Sequence, residues 1–214
     1  MRAYISKRAD VAIKNKLNNM GCCVVEIDGG DRVYDAVSCH PDIFMCAKPD
    51  GSVFHGDITK IGHEYPKNII FNAVCLDKYF IHNLSYTDET LLKTAEEMGL
   101  ITINVKQGYT KCNTVIVDGK SVITSDRGIA KALSKISDID VLEVSGGGVL
   151  LPGMDTGFLG GASGTTDNAV IFAGNITKHR DFEAIREFIE SRGKKIIYFP
   201  DLPLTDIGSI IFEK

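Results

Sequence analysis

An internal repeat restricts the fold of this chain more than any other feature of its sequence. Three segments, which begin at Asn72, Asn113 and Asn168, each read as two short apolar strands around a tight turn. Asp118-Gly119 is a strong hairpin dipeptide within the second of them. The starts lie about 40 residues apart, except for one gap of about 55, which is the range expected for repeated supersecondary units. A Gly-rich insert, Ser145 to Gly164, fills the longer gap.

The segment after each hairpin also repeats. Asp88, Asp126 and Asp181 each precede an apolar pattern of helical period, so we expect them to be helix N-caps. Gly99 and Gly193 stand where two of these helices should end. An apolar strand follows each helix, and the predicted strands are 101–105, 141–144 and 196–199. The repeating unit is therefore strand, hairpin strand, helix, strand, or ββαβ.

Two further units are incomplete. One starts at Asp206-Ile207 and is cut short, but the N-terminus offers the missing parts: a strand at 3–5, a helix capped by Ser6 and ending near Met20, and a strand at 23–27. The other starts at 42–46, turns at 49–51 and has an irregular stretch, 56–67, in place of its helix.

Five such units predict an α/β propeller with pseudo-five-fold symmetry, in which one unit is shared between the termini and residues 1–214 form a single domain. The alternative is a doubly wound α/β sheet, in which repeated βαβ patterns also arise.

Charge and hydropathy exclude several partners. The net charge is −4 without a basic block, so we expect no nucleic-acid partner. No apolar run approaches the roughly 18 residues that a membrane span needs, so we expect no membrane partner. The charged N-terminus is unlike a secretory signal. We therefore expect a soluble cytoplasmic protein with reduced cysteines.

Five strings of residues carry a family resemblance over essentially the whole chain: Cys39–Asp42, Tyr65–Ile69, Lys106–Cys112, Gly157–Gly164 and Leu204–Ser209. With them the chain resembles a bacterial family of uncharacterised proteins that has the pentein fold, also called the guanidino-group-modifying-enzyme (GME) fold. The resemblance implies a pentein-like five-bladed propeller. Penteins include arginine and agmatine deiminases, dimethylarginine hydrolases, amidinotransferases and a ribosome anti-association factor that has no catalytic activity.

In a ring of such units, the loops before each hairpin crowd the central channel. Those loops are 38–42, 106–113, the Gly-rich stretch up to 168, and 200–209, and most of the five strings fall in them. We therefore expect a site for a small-molecule ligand at the centre of the ring.

Guanidine chemistry needs a thiolate, an acid/base and carboxylates that hold a cation. Cys112 is the candidate nucleophile, because the neighbouring Lys111 can lower the pKa of its thiol; the alternative is a thiol that starts an inward strand. His40 and Asp42 form the candidate acid/base and cation-holding pair, with His40 as the acid/base and Asp42 as a carboxylate that holds the substrate; the alternative is a turn whose side chains cap the next strand. Asp206 is a better candidate than Glu143 for a second carboxylate that holds the cation.

The candidate substrate-binding residues are Lys106, Gln107, Gly161, Ser163 and Glu143. The Gly-rich stretch predicts either backbone N–H donors for an anion or oxyanion, or a tight linker across the channel. Glu143 lies within an inner strand and is expected to face the channel or a buried partner.

A metal site is not expected. Cys39, His40, Asp42 and Cys46 match no standard zinc spacing, so we predict neither metal nor cofactor. The other four histidines, His55, His63, His82 and His179, are interpreted as surface or packing residues.

The sequence departs from the catalytic penteins at one point. Those enzymes carry their nucleophilic cysteine in the last unit, where this chain has Asp206-Ile207-Gly208-Ser209. Two hypotheses remain. The first is an enzyme, a hydrolase or transferase, that acts on C–N bonds of a small amidine, guanidine or amide. The second is a non-catalytic pentein that binds a metabolite or a macromolecule.

Overall fold

The computed structural model describes residues 1–214 as a mixed α/β protein. The strands are β1 (Arg2–Ser6), β2 (Cys23–Ile27), β3 (Met45–Ala47), β4 (Val53–His55), β5 (Val74–Cys75), β6 (Tyr79–His82), β7 (Ile101–Asn104), β8 (Thr114–Ile116), β9 (Ser121–Thr124), β10 (Asp140–Glu143), β11 (Ser163–Thr165), β12 (Ala169–Phe172), β13 (Lys195–Ile197) and β14 (Ile211–Glu213). The α-helices are α1 (Val11–Asn19), α2 (Pro41–Phe44), α3 (Glu89–Glu97), α4 (Arg127–Leu133) and α5 (Phe182–Glu190). Short 3₁₀ turns cover Asp35–Val37, Ile58–Lys60 and Ile176–Lys178. Measured against a bilayer, every helix falls short of the length and apolarity that a membrane crossing requires.

The strands form five small sheets, with the orders β14-β1-β2, β3-β4, β5-β6-β7, β8-β9-β10 and β11-β12-β13. In three of them an antiparallel hairpin is extended by a parallel strand, which the chain reaches through a helix. The β14-β1-β2 sheet has the same pattern, but β14 comes from the C-terminus and β1 from the N-terminus. Strands from the two ends of the chain therefore share one sheet.

Helix boundaries follow the capping residues. The Asp88 carboxylate accepts hydrogen bonds from the backbone N–H groups of Thr90 and Leu91, as an N-cap should. Gly99 adopts a φ of 71° just after α3, where a left-handed residue ends a helix. The predicted cap at Ser6 is wrong: Ser6 is the last residue of β1, and Asp10 caps α1 instead.

Three predicted strand starts are shifted. In the third repeat β12 is the second strand of its hairpin, and its antiparallel partner β11 overlaps the end of the stretch that the sequence assigned to an insert. Pro41–Phe44 is one helical turn rather than a strand, because Pro41 at the first helical position has the φ that a helix needs. Gly208 and Ser209 both have a φ of 70°, so the last strand starts only after them.

Apolar side chains fill the space between the sheets and their helices. The largest core cluster packs Ile185 and Ile189 of α5 against Val170 and Phe172 of β12 and against Val115 of β8. These side chains are completely buried. Burial of this kind is the main favourable term in folding, and here it joins neighbouring sheets.

The strands that stand first in the five sheet orders, β14, β3, β5, β8 and β11, lie next to one another. β14 contacts both β3 and β11, β3 contacts β5, and β8 contacts β11. Together they line a cavity of about 380 Å³, to which each contributes a residue: Ala47, Cys75, Ile116, Thr165 and Ile211. Backbone hydrogen bonds join the segments that precede these strands: the N–H of Asp42 donates to Gly208, that of Lys111 to Asn72 and that of Gly161 to Cys112. The fold therefore brings five remote segments to one place.

Candidate functional site

A buried group of polar side chains lies where these five segments meet. We call it the polar cluster, and it consists of His40, Asp42, Asn72, Lys111, Cys112, Asp206 and Ser209. Lys111 is partly buried, and the other members expose at most 4% of their surface. Buried polar groups are costly unless they are paired, so their interactions define what the cluster can do.

The turn around Pro41 fixes His40 and Asp42. His40 is extended and stands at the N-cap of α2, and the N–H of Asp42 donates to the carbonyl of Gly208 at 3.1 Å. Gly208 is packed so closely that a Cβ there would overlap His40, and its φ is 70°. Only glycine meets both requirements without strain, so Gly208 allows the last segment to approach this turn.

The thiol of Cys112 and the carboxylate of Asp42 are in direct contact. Cys112 Sγ donates to Asp42 Oδ2 at 3.1 Å, and Ser209 Oγ donates to the same oxygen at 2.7 Å. Two buried atoms beside them, Asp42 Oδ1 and His40 Nδ1, have no hydrogen-bond partner. One donor atom each from His40, Asp42 and Cys112 lies within 4.8 Å of the others, so this trio could also hold a metal ion.

Asn72 positions the thiol, and its role was not predicted. Its side-chain Oδ1 accepts from the N–H groups of Lys111 at 2.8 Å and Cys112 at 3.3 Å. Its Nδ2 donates to Cys112 Sγ at 3.3 Å and to the carbonyl of Asp42 at 3.1 Å. The available signal was its place at the start of a repeat, since Cys112 and Asp206 of the cluster also lie at or directly before repeat starts.

Lys111 and Ser209 form a second link that sequence reasoning missed. Lys111 Nζ donates to Ser209 Oγ at 3.0 Å and to the carbonyls of Gly160 and Thr114 at 3.3 and 3.4 Å. Ser209 is the single non-glycine residue with a positive φ, a conformation that costs free energy and that often marks a functional site. Its signal in the sequence was its position in the same short segment as Asp206, directly before the last strand.

Asp206 is held by the Gly-rich stretch. The N–H of Phe158 donates to Oδ2 at 2.9 Å, and the N–H of Gly208 donates to Oδ1 at 3.0 Å. Oδ1 lies 3.8 Å from His40 Nδ1, and a Cβ at Gly161 would overlap this carboxylate. The stretch therefore donates to a carboxylate of the protein itself, where the sequence suggested donors for an external anion.

Burial controls the protonation of the cluster. It lowers the pKa of His40 to about 4 and raises the pKa of Asp206 to about 6. Burial likewise raises the pKa of Asp42 and lowers the pKa of Lys111. The pKa of Cys112 lies well above its usual value because of burial first and then of the Asp42 and Asp206 carboxylates.

The expected effect of Lys111 on the thiol is therefore wrong. The ammonium of Lys111 turns to Ser209 and to two carbonyls, and the resting thiol stays protonated beside a carboxylate.

The structure brings together all four candidate catalytic residues, His40, Asp42, Cys112 and Asp206. It does not bring together all of the candidate substrate-binding residues. Gly161 packs on Asp206, and Ser163 borders the cavity with its hydroxyl donating to the carbonyl of Gly160 at 2.8 Å.

The other three lie outside the polar cluster. Lys106 is exposed, and Gln107 Nε2 donates to Asp126 at 3.0 Å, which links its loop to the N-terminus of α4. Glu143 has 53% of its side chain exposed, with Arg127 Nε 3.8 Å away. The expectation that Glu143 faces the channel or a buried partner is wrong, because Glu143 lies at the exposed end of β10.

The remaining cysteines and histidines point elsewhere. The thiol of Cys39 lies 3.8 Å from Asp28, and that of Cys46 lies 3.8 Å from Cys75. His82 is completely buried, with Nδ1 2.8 Å from Thr87 Oγ1. His179 is also buried, while His55 and His63 are exposed. The interpretation of the four histidines as packing or surface residues agrees with these positions.

Comparison with known proteins gives the family. The chain belongs to the family described as "Family of unknown function (DUF6873)", whose model matches residues 4–211. No curated protein matches it. Among solved structures it is similar to the agmatine deiminase of C. jejuni, with a TM-score of 0.38 and 15% identity. The match covers 57% of this chain and 46% of the deiminase, so the chain spans less than half the length of that protein.

Proposed function

We propose that this member of the family is an enzyme that breaks a C–N bond in a small guanidine, amidine or amide, with the polar cluster as its site. One observation carries the proposal: the imidazole and carboxylate of one turn meet a thiol from a remote segment in one buried group. Cys112 Sγ lies 3.1 Å from Asp42, and a ring nitrogen of His40 lies within 4.8 Å of both donor atoms. A nucleophile within reach of a base, with a second acid/base beside it, is the arrangement that covalent catalysis needs.

Each side chain has a separate step. Asp42 accepts the proton of the Cys112 thiol, and the sulfur forms a bond to the central carbon of the substrate. The C–N bond then breaks, and the nitrogen leaves with the proton that Asp42 received. His40, a neutral imidazole, takes a proton from water, whose oxygen bonds to the carbon while the C–S bond breaks. That proton then passes from His40 to the released Cys112 sulfur, which restores the thiol and the neutral imidazole. The net reaction consumes one water and releases ammonia or an amine.

The charges of the polar cluster favour a cationic substrate. Asp42 and Asp206 provide two carboxylates, whereas Lys111 provides one ammonium. A bound guanidinium or amidinium would balance the remaining negative charge when both carboxylates are ionised. Such a group also donates the hydrogen bonds that a carboxylate accepts.

The proposal includes the architecture around the site. We infer that the five sheets are the blades of one pentein-like propeller over residues 1–214, with the small-molecule ligand at its centre. Support comes from the single cavity that the first strands of all five sheets line. All six cysteines are free thiols, which suits the reducing cytoplasm, and the acidic chain suits no nucleic-acid partner.

A non-catalytic metabolite-binding protein is the second candidate, and the position of the cavity favours it. Ser163 and Lys111 line the cavity, but His40, Asp42 and Cys112 do not. A ligand in that cavity would meet Lys111 and would be separated from the thiol. In this case the polar cluster would serve to tie the five segments together.

The experiment measures ammonia release from a panel of free guanidines, amidines and primary amides, with metal removed by a chelator. We expect turnover by the wild type, loss of turnover in Cys112→Ser, and a covalent adduct on Cys112 after an acid quench. Cys22→Ser, which replaces a buried thiol outside the cluster, is the control and should stay active. Turnover that survives in Cys112→Ser excludes the thiol mechanism.

The second candidate gives a different result in the same panel. A ligand would then bind without turnover, Cys75→Phe in the cavity wall would abolish binding, and Cys112→Ser would leave it unchanged.

A further inference from the structure

The trio of His40, Asp42 and Cys112 has the composition of a metal site. Its three donor atoms are a ring nitrogen, a carboxylate oxygen and a sulfur, and they all lie within 4.8 Å of one another. Imidazole, carboxylate and thiolate are the three side-chain ligands that zinc uses in proteins. Zinc binds such atoms at about 2.0–2.3 Å, so small side-chain shifts would bring all three into contact with a single ion.

Two of these residues hold buried atoms that no protein group satisfies. His40 Nδ1 and Asp42 Oδ1 both lack a hydrogen-bond partner, although His40 exposes 4% of its surface and Asp42 none. Buried polar atoms in native proteins are nearly always paired, so two neighbouring exceptions indicate a missing ligand. The sulfur of Cys112 completes the same small group.

The surrounding contacts hold the three side chains in place. Asp42 uses its other oxygen, Oδ2, to accept from Ser209 Oγ at 2.7 Å, which leaves Oδ1 for an ion. The carbonyl of Cys112 accepts from the N–H of Gly161 at 2.8 Å, and its N–H donates to Asn72. Ligands that are oriented by such outer contacts bind a metal more tightly.

We propose that His40, Asp42 and Cys112 bind one Zn²⁺ ion. A mixed nitrogen, oxygen and sulfur set favours zinc over Mg²⁺ and Ca²⁺, which prefer oxygen alone. Three protein ligands leave a fourth position for water or a small ligand. Binding replaces the S–H bond of Cys112 with a Zn–S bond, and the displaced proton leaves to solvent.

This ion would use the sulfur that the proposed reaction needs, so the zinc-loaded protein cannot carry out that reaction. The metal proposal rests on the geometry of the trio and does not depend on the proposed function. If zinc binds and the metal-free protein turns over nothing, the proposed function fails and the metal site stands. If the metal-free protein is active and zinc does not bind, the opposite holds.

The test titrates Co²⁺, a spectroscopic substitute for zinc, into the full-length chain after treatment with a chelator. We expect one equivalent to give a thiolate-to-cobalt charge-transfer band and tetrahedral d–d bands, and Zn²⁺ to displace both. Cys112→Ser should remove the charge-transfer band. His40→Gln and Asp42→Asn should each weaken Zn²⁺ binding by more than about 100-fold, since each removes a direct ligand.

Cys39→Ser is the matched control, because it replaces a buried thiol directly beside His40 whose sulfur turns towards Asp28. It should keep the full cobalt spectrum, and circular dichroism should show that every variant is folded. If Asp42→Asn does not fold, His40→Gln and Cys112→Ser decide the question. The proposal is overturned if wild type gives no charge-transfer band, or if the band persists in Cys112→Ser.

Discussion

Replacing the buried Gly161 with alanine should destabilise the protein more than the same replacement at an exposed glycine. The new Cβ would overlap the Asp206 side chain and would lie 2.7 Å from its Oδ2. Overpacking of this kind costs about 1–3 kcal/mol. Moving the carboxylate would also weaken its hydrogen bonds from Phe158 and Gly208, and bonds to a charged group contribute about 1.5–3 kcal/mol each.

We therefore expect Gly161→Ala to lower the free energy of unfolding by about 3 kcal/mol, which for a chain of this size is a fall in Tm of roughly 6–12 °C. Urea unfolding followed by circular dichroism measures the first quantity and a thermal melt the second. Gly146→Ala is the control, because its Cβ would meet nothing closer than Ser125 at 4.0 Å. That variant should lie within about 0.5 kcal/mol of wild type.

The Asp206→Ala background isolates the cause. Without the Asp206 side chain the added methyl group has no carboxylate to overlap, so Gly161→Ala should cost much less there. An equal cost in both backgrounds, or a Gly161→Ala variant as stable as Gly146→Ala, would refute the packing of this glycine on the carboxylate.

Three other predictions concern stability. Burial lowers the pKa of His82 to about 4, so its contribution to the free energy of unfolding is complete above about pH 6.5 and is lost as the pH falls towards 4. Between pH 7 and 4 the free energy of unfolding of wild type should therefore fall by about 3 kcal/mol more than that of His82→Gln. Equal losses in urea unfolding of the two proteins would contradict this. Ser209→Ala keeps the strained φ of 70° whereas Ser209→Gly relieves it, so chemical denaturation should find the glycine variant more stable by about 1 kcal/mol, and the reverse order would show that the strain is absent. Asp88→Ala should cost about 1 kcal/mol through loss of the α3 cap, with Asp88→Asn close to wild type in thermal melts; two equal losses would assign the effect to charge.

Much of the fold follows from local chemistry, which is why the sequence predicted it. The Asp88 cap, the Gly99 stop and the parallel strand β7 all come from short-range patterns. The shared terminal sheet was also predictable, because an incomplete last unit needed the strands of the N-terminus. The predicted N-cap of α1 at Ser6 is wrong because two polar residues, Ser6 and Asp10, precede this helix. Only the backbone conformation decides that Asp10 is the cap.

The four candidate catalytic residues were predictable from the sequence, but the roles of Asn72, Lys111 and Ser209 and the chemistry of the site were not. The loops before each hairpin located His40 and Cys112, since the repeat shows which loops are equivalent. The contact of Asp42 with Cys112 joins residues 70 positions apart, and so does not appear in any local spacing. For the same reason the sequence offered Cys39 and Cys46 as zinc ligands, although their thiols turn away from His40 and Asp42 towards Asp28 and Cys75.

Protonation was the least predictable property. Sequence placed Lys111 next to Cys112 and suggested an activated thiolate. In the structure the ammonium of Lys111 instead donates to Ser209, and the carboxylates of Asp42 and Asp206 lie near the sulfur of Cys112. Side chains that are adjacent in sequence point in different directions, so a neighbour in the chain need not be a neighbour in the site.

The central claim is that the thiol of Cys112 and the carboxylate of Asp42 act as one interacting unit. A double-mutant cycle with Cys112→Ala, Asp42→Asn and the double variant measures this directly from urea unfolding of the metal-free protein at neutral pH. A buried 3.1 Å hydrogen bond to a carboxylate predicts a coupling free energy of about 1.5–3 kcal/mol. Additive losses, with a coupling below about 0.5 kcal/mol, would contradict the account.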